Sequence, residues 1–300
     1  MTTPVIRTRG LTKTFGAGRG VTGVDLDVDA GQVFGFLGPN GAGKSTTIRL
    51  LLGLQRAASG TVEVLGSMRA GDPAVLRHVG YLPGEFTLPD VLTGREVLDR
   101  FTRMRGMRDT SVRDALVERF GVELSRPLRQ LSKGNRQKLG LVQAFMHRPR
   151  LLVLDEPTSG LDPLLREEFR ELLLETAAEG RTVLLSSHDL DEVQRTATRV
   201  AIIREGRIVV DDTVEALRRR APTVVEVGFD HDVDASALAG IPGVTVTART
   251  PRRVGLTLVG SVAPLVTALA PLHPTTLGVR PPELADLFLA EYGESRGGAR

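Results

Sequence analysis

An unbroken run, Gly38-Pro39-Asn40-Gly41-Ala42-Gly43-Lys44-Ser45, followed by Thr46, has the residue types and spacing to bind phosphate. It fits G-x-x-x-x-G-K-[ST], a loop whose backbone N–H groups cradle an anion at the positive end of the next helix. Glycines there allow positive φ and close approach of the backbone to the phosphates. Lys44 offers a point charge to the β- and γ-phosphates, and the Ser45 hydroxyl can ligate Mg²⁺. Lysine is rare in this chain, occurring only at Lys13, Lys44, Lys133 and Lys138, which makes its position here informative. An ordinary glycine-rich turn would have no need of it. Nucleotide binding is the reading.

Further groups could act on that nucleotide. Leu151-Leu152-Val153-Leu154 reads as a buried strand ending in Asp155 and Glu156. Asp155 at the strand's C-terminal edge points toward the metal held by Ser45. Glu156, one residue on, is positioned to polarise a water in line with the γ-phosphate. In Leu131-Ser132-Lys133-Gly134-Asn135-Arg136-Gln137, Ser132 reads as a helix N-cap. Capping alone explains it, yet a Ser and a Gly at an exposed helix N-terminus also make an anion site. His188, in Ser186-Ser187-His188-Asp189, follows an apolar strand, at the edge where ligands bind in parallel sheets.

The elements that must position these groups are legible as apolar runs and capping signals. A buried strand at 32–37 leads into the phosphate loop, and a helix at 46–54, closed by Gly53, leads out. Residues 61–65 and 80–82 are further strands. Residues 87–147 form a helical zone with a capping box at Thr93-Gly94-Arg95-Glu96, a helix at 111–120 and another reaching about residue 146. Apolar runs at 151–154, 182–185 and 200–203 have the length and continuity of buried strands. Leu165, Phe169, Leu172 and Thr176 share one helix face. Pro222, after Arg218-Arg219-Arg220, marks a boundary between a domain over 1–220 and a small α+β domain over 221–294. That second domain reads as strand 223–229, helix 234–239, strands 244–248 and 254–258, helix 262–269, strand 275–279 and helix 282–292. The βαββαβ order is ferredoxin-like. Residues 295–300 read as a disordered tail.

Composition narrows the class. A chain of 300 residues that is 41% hydrophobic can bury a large core beside a small one. No apolar run approaches the roughly 18 residues a membrane helix needs, and the N-terminus lacks a signal peptide's apolar centre. Cysteine is absent, which excludes disulfides and thiolate metal sites. The expectation is a soluble, cytoplasmic chain. A net charge of +3 with interspersed signs gives no nucleic-acid footprint, and no nucleic-acid partner is expected.

Taken in order, Gly38–Ser45, Leu131–Gln137, Leu151–Glu156, Ser159-Gly160-Leu161-Asp162 and His188 resemble the ATP-binding cassette (ABC) family over roughly residues 5–220. The resemblance implies an α/β P-loop NTPase cassette, a mixed sheet core with a helical subdomain at about 87–147. It implies Walker A at Gly38–Ser45, the signature at Leu131–Asn135 and Walker B at Leu151–Asp155. Glu156 becomes the catalytic carboxylate, Asp162 the D-loop residue and His188 the switch histidine. Phe15 matches the aromatic that stacks on adenine, unless it is simply a core or edge-strand aromatic. ATP and Mg²⁺ are the implied ligands.

The family packs two cassettes head to tail, so a homodimer is implied, with Ser132, Lys133, Gly134, Asn135 and Asp162 facing the nucleotide of the other copy. Transport then needs a separate permease that docks on the helical zone, holding the ATPase at the inner face of the cell membrane. The ending Pro281-Pro282-Glu283-Leu284-Ala285-Asp286-Leu287-Phe288-Leu289 resembles exporter ATPases that serve ABC-2-type permeases, with actinobacterial multidrug and antibiotic efflux as the nearest likeness. A lipid, polysaccharide or sodium exporter is the alternative within transport, and a cassette ATPase acting on ribosomes or DNA the alternative outside it. Two positions depart from the family. Gly84-Glu85 stands where the Q-loop usually has Gln, so either Glu85 substitutes or the loop is a mechanical contact. Lys133 and Asn135 replace the commoner Gly and Gln of the signature, and both side chains can donate hydrogen bonds toward phosphate or ribose.

Overall fold

A computed structural model describes residues 4–16, 19–87 and 89–280, which divide into two compact units between Asp212 and Thr213. The division falls ahead of the expected boundary at residue 220, since the helix Val214–Arg220 groups with the second unit.

The first unit opens with a long antiparallel hairpin, β1 (Pro4–Phe15) and β2 (Arg19–Asp29). With β4 (Ser59–Val64) it forms a three-stranded sheet in the order β2-β1-β4. Register shifts break β1 between Thr8 and Leu11 and between Leu11 and Lys13, which blurs the alternation that would announce so long a strand. The second sheet contains β3 (Val33–Leu37), β5 (Val79–Leu82), β6 (Leu151–Asp155), β7 (Thr182–Ser187), β8 (Arg199–Arg204) and β9 (Arg207–Thr213), in the order β5-β6-β7-β3-β8-β9. β3, β6 and β7 are buried along their whole length, as their continuous apolar runs require of a parallel sheet covered on both faces. Pairing of Leu37 with Ser187, and of Asp155 with Ser186, aligns the C-terminal ends of these three neighbours at one edge. β9, not foreseen from the sequence, alternates half-buried and exposed positions, and its apolar run is only the three residues Ile208-Val209-Val210.

Helix α1 spans Lys44–Leu51, so it starts inside the phosphate loop and ends earlier than the 46–54 expected. Gly53, at φ +68°, lies just past its end as a closing glycine. After the short α2 (Pro73–Leu76), the helical zone holds α3 (Gly94–Met104), α4 (Ser111–Arg119) and α5 (Lys133–Phe145). The Thr93–Glu96 capping box is formed in both directions, at 2.7 and 3.2 Å. Two helices flank β7 in sequence, α6 (Pro163–Ala178) and α7 (Leu190–Thr196), and Gly35 lets α7 lie close on β3, where a Cβ would meet Val193 Cγ1 at 2.2 Å.

The second unit contains α8 (Val214–Arg220) and an antiparallel sheet of β10 (Thr223–Gly228), β11 (Val244–Thr250), β12 (Arg253–Leu258) and β13 (Thr276–Arg280). Its order, β11-β12-β10-β13, is ferredoxin-like. The expected helix at 234–239 is a 3-10 helix, Ala235–Gly240, and α9 (Ala263–Leu269) supplies the second crossover. Val225, Val227, Leu238, Leu256, Leu258, Leu265 and Leu269 close a core of its own. The helix expected at 282–292, with Leu284, Leu287 and Phe288, and the tail at 295–300 lie outside the described residues.

Candidate functional site

The aligned strand ends make the site. β3 runs directly into Gly38–Ser45. Gly43 is the N-cap of α1 at φ +115°, and a Cβ there would fall 2.6 Å from Val21 Cγ1, so both conformation and space demand glycine. Gly41, at φ +80°, has nothing within 4 Å of an added Cβ, so there it is conformation that selects glycine. Lys44 is almost fully buried, and its Nζ donates to Gly38 O at 2.5 Å.

From β6 come Asp155 and Glu156. Asp155 is 3% exposed, and its Oδ1 accepts from Ser186 Oγ at 2.5 Å. Its Oδ2 accepts no hydrogen bond from the described residues and faces Gly84, where an added Cβ would lie 3.5 Å away. Glu156 adopts φ +50°, a left-handed conformation that a residue with a side chain rarely takes. Its N–H is held by Ser186, by the carbonyl oxygen at 3.1 Å and the hydroxyl at 3.2 Å. Glu156 Oε1 lies 3.1 Å from Lys44 Nζ, yet it is buried and receives no aligned hydrogen bond. Glu156 Oε2 lies 2.7 Å from Nδ1 of His188, which follows β7 and is largely exposed.

A cavity of about 550 Å³ opens over these groups, lined by Asn40, Ser45, Gly84, Glu85, Asp155, Glu156 and His188, and also by Lys133, Arg136, Gln137 and Ser159. The structure thus brings the phosphate loop, both carboxylates, the histidine and the Gly84-Glu85 turn around one space. Ser45 and Asp155 offer a hydroxyl and a carboxylate oxygen, the hard donors Mg²⁺ takes when waters and substrate phosphates complete its shell. The unbonded Asp155 Oδ2 fits that use. Of the loop and the first turn of α1, Asn40 and Ser45 line the cavity, whereas Gly38, Pro39, Gly41, Ala42, Gly43, Lys44 and Thr46 do not.

Other expected residues lie apart. Phe15, at the end of β1, is 42% exposed beside Lys13, whose Nζ is 5.7 Å from the ring centroid, and it does not line the cavity. Ser132 caps α5 by accepting from Asn135 N at 3.1 Å, and Asp162 caps α6 by accepting from Leu165 N at 3.0 Å. The Asn135 side chain, expected to reach phosphate or ribose, is bonded both ways to the Glu123 backbone, at 3.0 and 3.1 Å. A loop twelve residues earlier satisfies it, which local sequence does not disclose. Lys133, unlike these, lines the cavity, and its Nζ donates to Ser159 Oγ at 2.9 Å within the same chain.

Sequence reasoning assigned no role to Ser186 or Gln137. Ser186 braces both carboxylate residues, and the Ser-Ser pair before His188 was its only signal. Gln137 is buried and donates through Nε2 to Pro157 O at 2.7 Å and Glu156 O at 3.3 Å, fastening α5 to the loop beyond β6.

The chain is similar to known proteins. The family described as ABC transporter matches residues 21–159. The bacitracin transport ATP-binding protein BcrA of Bacillus licheniformis is 37% identical over 72% of this chain and 72% of its own. The daunorubicin/doxorubicin resistance ATP-binding protein DrrA of Streptomyces peucetius is 39% identical over 72% of this chain and 67% of its own. The daunorubicin resistance ATP-binding protein DrrA2 of Streptomyces coeruleorubidus is 35% identical over 96% of this chain and 95% of its own, so that similarity runs through the second unit. Among solved structures, an ATP-binding subunit of an ABC transporter superposes with a TM-score of 0.66 at 31% identity, covering 72% of this chain and 92% of that one. The ADP conformation of MJ1267, an ATP-binding cassette of an ABC transporter, gives 0.60 at 25% identity, covering 72% and 95%.

Proposed function

Since the chain belongs to the ABC transporter family, as an ATP-binding and ATP-hydrolysing member, we propose that it is the ATPase subunit of an exporter, closing as a homodimer around ATP to drive a separate ABC-2-type permease that expels drugs or antibiotics. Support for the cargo class comes from bacitracin transport and daunorubicin/doxorubicin resistance in the names of its relatives, and from likeness to DrrA2 across both units. No helix among the described residues is long and apolar enough to cross a membrane, and this reading gives the spans to the permease. The ATPase then works at the inner face of the membrane. In the closed dimer, the α5 N-terminus with Ser132 and Gly134 meets the nucleotide held by the other copy.

The observation that carries the catalytic reading is Glu156 Oε1, buried, facing the cavity loop and receiving no aligned hydrogen bond although Lys44 Nζ is 3.1 Å away. When the γ-phosphate arrives, it offers Lys44 a more highly charged partner, and Oε1 is released to accept a proton from water. That water's oxygen bonds to the γ-phosphorus as the bridge to the β-phosphate breaks, giving ADP and inorganic phosphate. His188 fixes the other oxygen of Glu156 and so keeps Oε1 aimed. Ser45 and Asp155 would hold Mg²⁺, which when bound neutralises charge on the β- and γ-phosphate oxygens.

Glu156→Gln tests this. The amide keeps the shape but cannot take the proton, so turnover should fall by roughly 10²–10⁴-fold with ATP affinity retained. The variant should also accumulate as an ATP-bound dimer on a sizing column. Equal turnover in the variant and the wild type would move the base elsewhere, with Glu85 or His188 next to be tested.

A further inference from the structure

Behind the Glu156–His188 contact lies a buried carboxyl group that the chemistry above does not use. Glu192, in α7, accepts through Oε2 from Ser187 Oγ at 2.9 Å and from Thr158 Oγ1 at 3.1 Å. Ser187 precedes His188 at the end of β7, and Thr158 lies in the loop that follows Glu156. One oxygen therefore joins the two loops whose functional groups meet 2.7 Å apart on the other side. Ser187 Oγ also accepts from Asp189 N at 3.0 Å, so the clasp spans both flanks of His188. Glu192 itself is locked, its N–H donating to Asp189 Oδ1 at 3.3 Å and its carbonyl accepting from Thr196 Oγ1 at 2.7 Å.

The arrangement is costly. Glu192 Oε1 is buried with no hydrogen-bond partner. Burial pushes the carboxyl above the usual range, against the bonds from Ser187 and Thr158 and the nearby Arg166. Filling the space alone would be done at no such cost by an apolar side chain. Glu156, meanwhile, holds a left-handed backbone conformation that persists only where its surroundings over-determine it.

We propose that Glu192 is a positioning residue for ATP hydrolysis, its single shared oxygen setting the separation of the loops that carry Glu156 and His188. The inference rests on Glu156 being the base. A displacement of about 1 Å at a reacting group costs on the order of 10²-fold in rate. In the full-length protein, below the melting temperature of every variant, Glu192→Ala should lower kcat by about 10–100-fold and change the KM for ATP by less than about twofold. Glu192→Gln keeps an oxygen that accepts both hydroxyls and should restore most of the rate. In a Glu156→Gln background, Glu192→Ala should add little, because its effect passes through Glu156.

A lower melting temperature with unchanged kcat per folded molecule would overturn the proposal. So would Glu192→Gln as slow as Glu192→Ala, or a full additional loss in the Glu156→Gln background. If Glu192→Ala does not fold, Thr158→Val combined with Ser187→Ala opens the same clasp and must give the same loss of kcat. Should Glu156→Gln itself turn over normally, the base assignment falls and takes this inference with it. If Glu156→Gln is inactive while opening the clasp has no effect, the inference alone fails.

Discussion

At the scale of single residues, the proposed base and a strained backbone coincide at Glu156. A left-handed backbone costs a residue with a Cβ about 1–2 kcal/mol, and here it turns the carboxylate toward Lys44 and His188 instead of along the strand. A second residue stores a pH response far from the nucleotide. His147 Nε2 lies 3.2 Å from Val79 O, and since a carbonyl only accepts, Nε2 carries the proton. Nδ1 is buried without a partner. Burial first, and then the Arg105 guanidinium, hold the imidazole pKa down to about 4 from its ordinary 6.5. Below pH 6.5 the unfolded chain binds a proton that the folded chain refuses. The stability this group contributes is therefore complete above 6.5 and is lost as pH falls toward 4, by up to about 3 kcal/mol. The stability difference between wild type and His147→Gln, from urea titrations, should thus shift against the wild type by more than about 1 kcal/mol between pH 7 and 5. A difference independent of pH would refute it.

At the scale of elements, α5 and the loop beyond β6 act as one piece. Gln137 binds two carbonyls of that loop, Lys133 binds Ser159, and a Cβ on Gly134 would lie 2.8 Å from Gly160 O. The first turns of α5 are thereby tied to the peptide that carries Glu156. Gln137→Leu keeps the volume and removes the hydrogen bonds, leaving Pro157 O unpaired in a buried site. It should destabilise the protein by about 1–3 kcal/mol, read as a lower urea midpoint at unchanged slope. An unchanged midpoint would mean that α5 is held by packing alone. Of this link the sequence disclosed the Ser132 cap and the run of the helix. It did not disclose Gln137, because which face of α5 meets which loop depends on how the zone folds back onto β6.

At the scale of the whole molecule, the two units carry separate cores, one built from Ile6 through Ile203 and the other from Val225 through Leu269. The P-loop, Asp155, Glu156 and His188 all lie in the first. Deleting residues from Pro222 onward should therefore leave a folded cassette that binds ATP with affinity within a few-fold of the full chain, by calorimetry. The loss is expected in dimer formation or permease docking, the uses open to a domain without a nucleotide motif. An insoluble truncation, or one that no longer binds ATP, would show that the second unit completes the fold of the first.

What the sequence determined by itself is whatever depends on neighbours along the chain. The phosphate loop is contiguous, the buried strands are unbroken apolar runs, and caps such as Thr93–Glu96 close within one turn. The β1–β2 hairpin and β9 were less legible, since bulges interrupt one pattern and half-burial dilutes the other. Only the tertiary structure decided the partners that come from distant segments. Ser186 on Asp155, Asn135 on Glu123, Gln137 on Pro157 and Glu192 on Thr158 and Ser187 are each a polar group satisfied across a fold. Most buried polar atoms find a partner, but the local sequence says nothing of which one, because strand order and helix docking choose it.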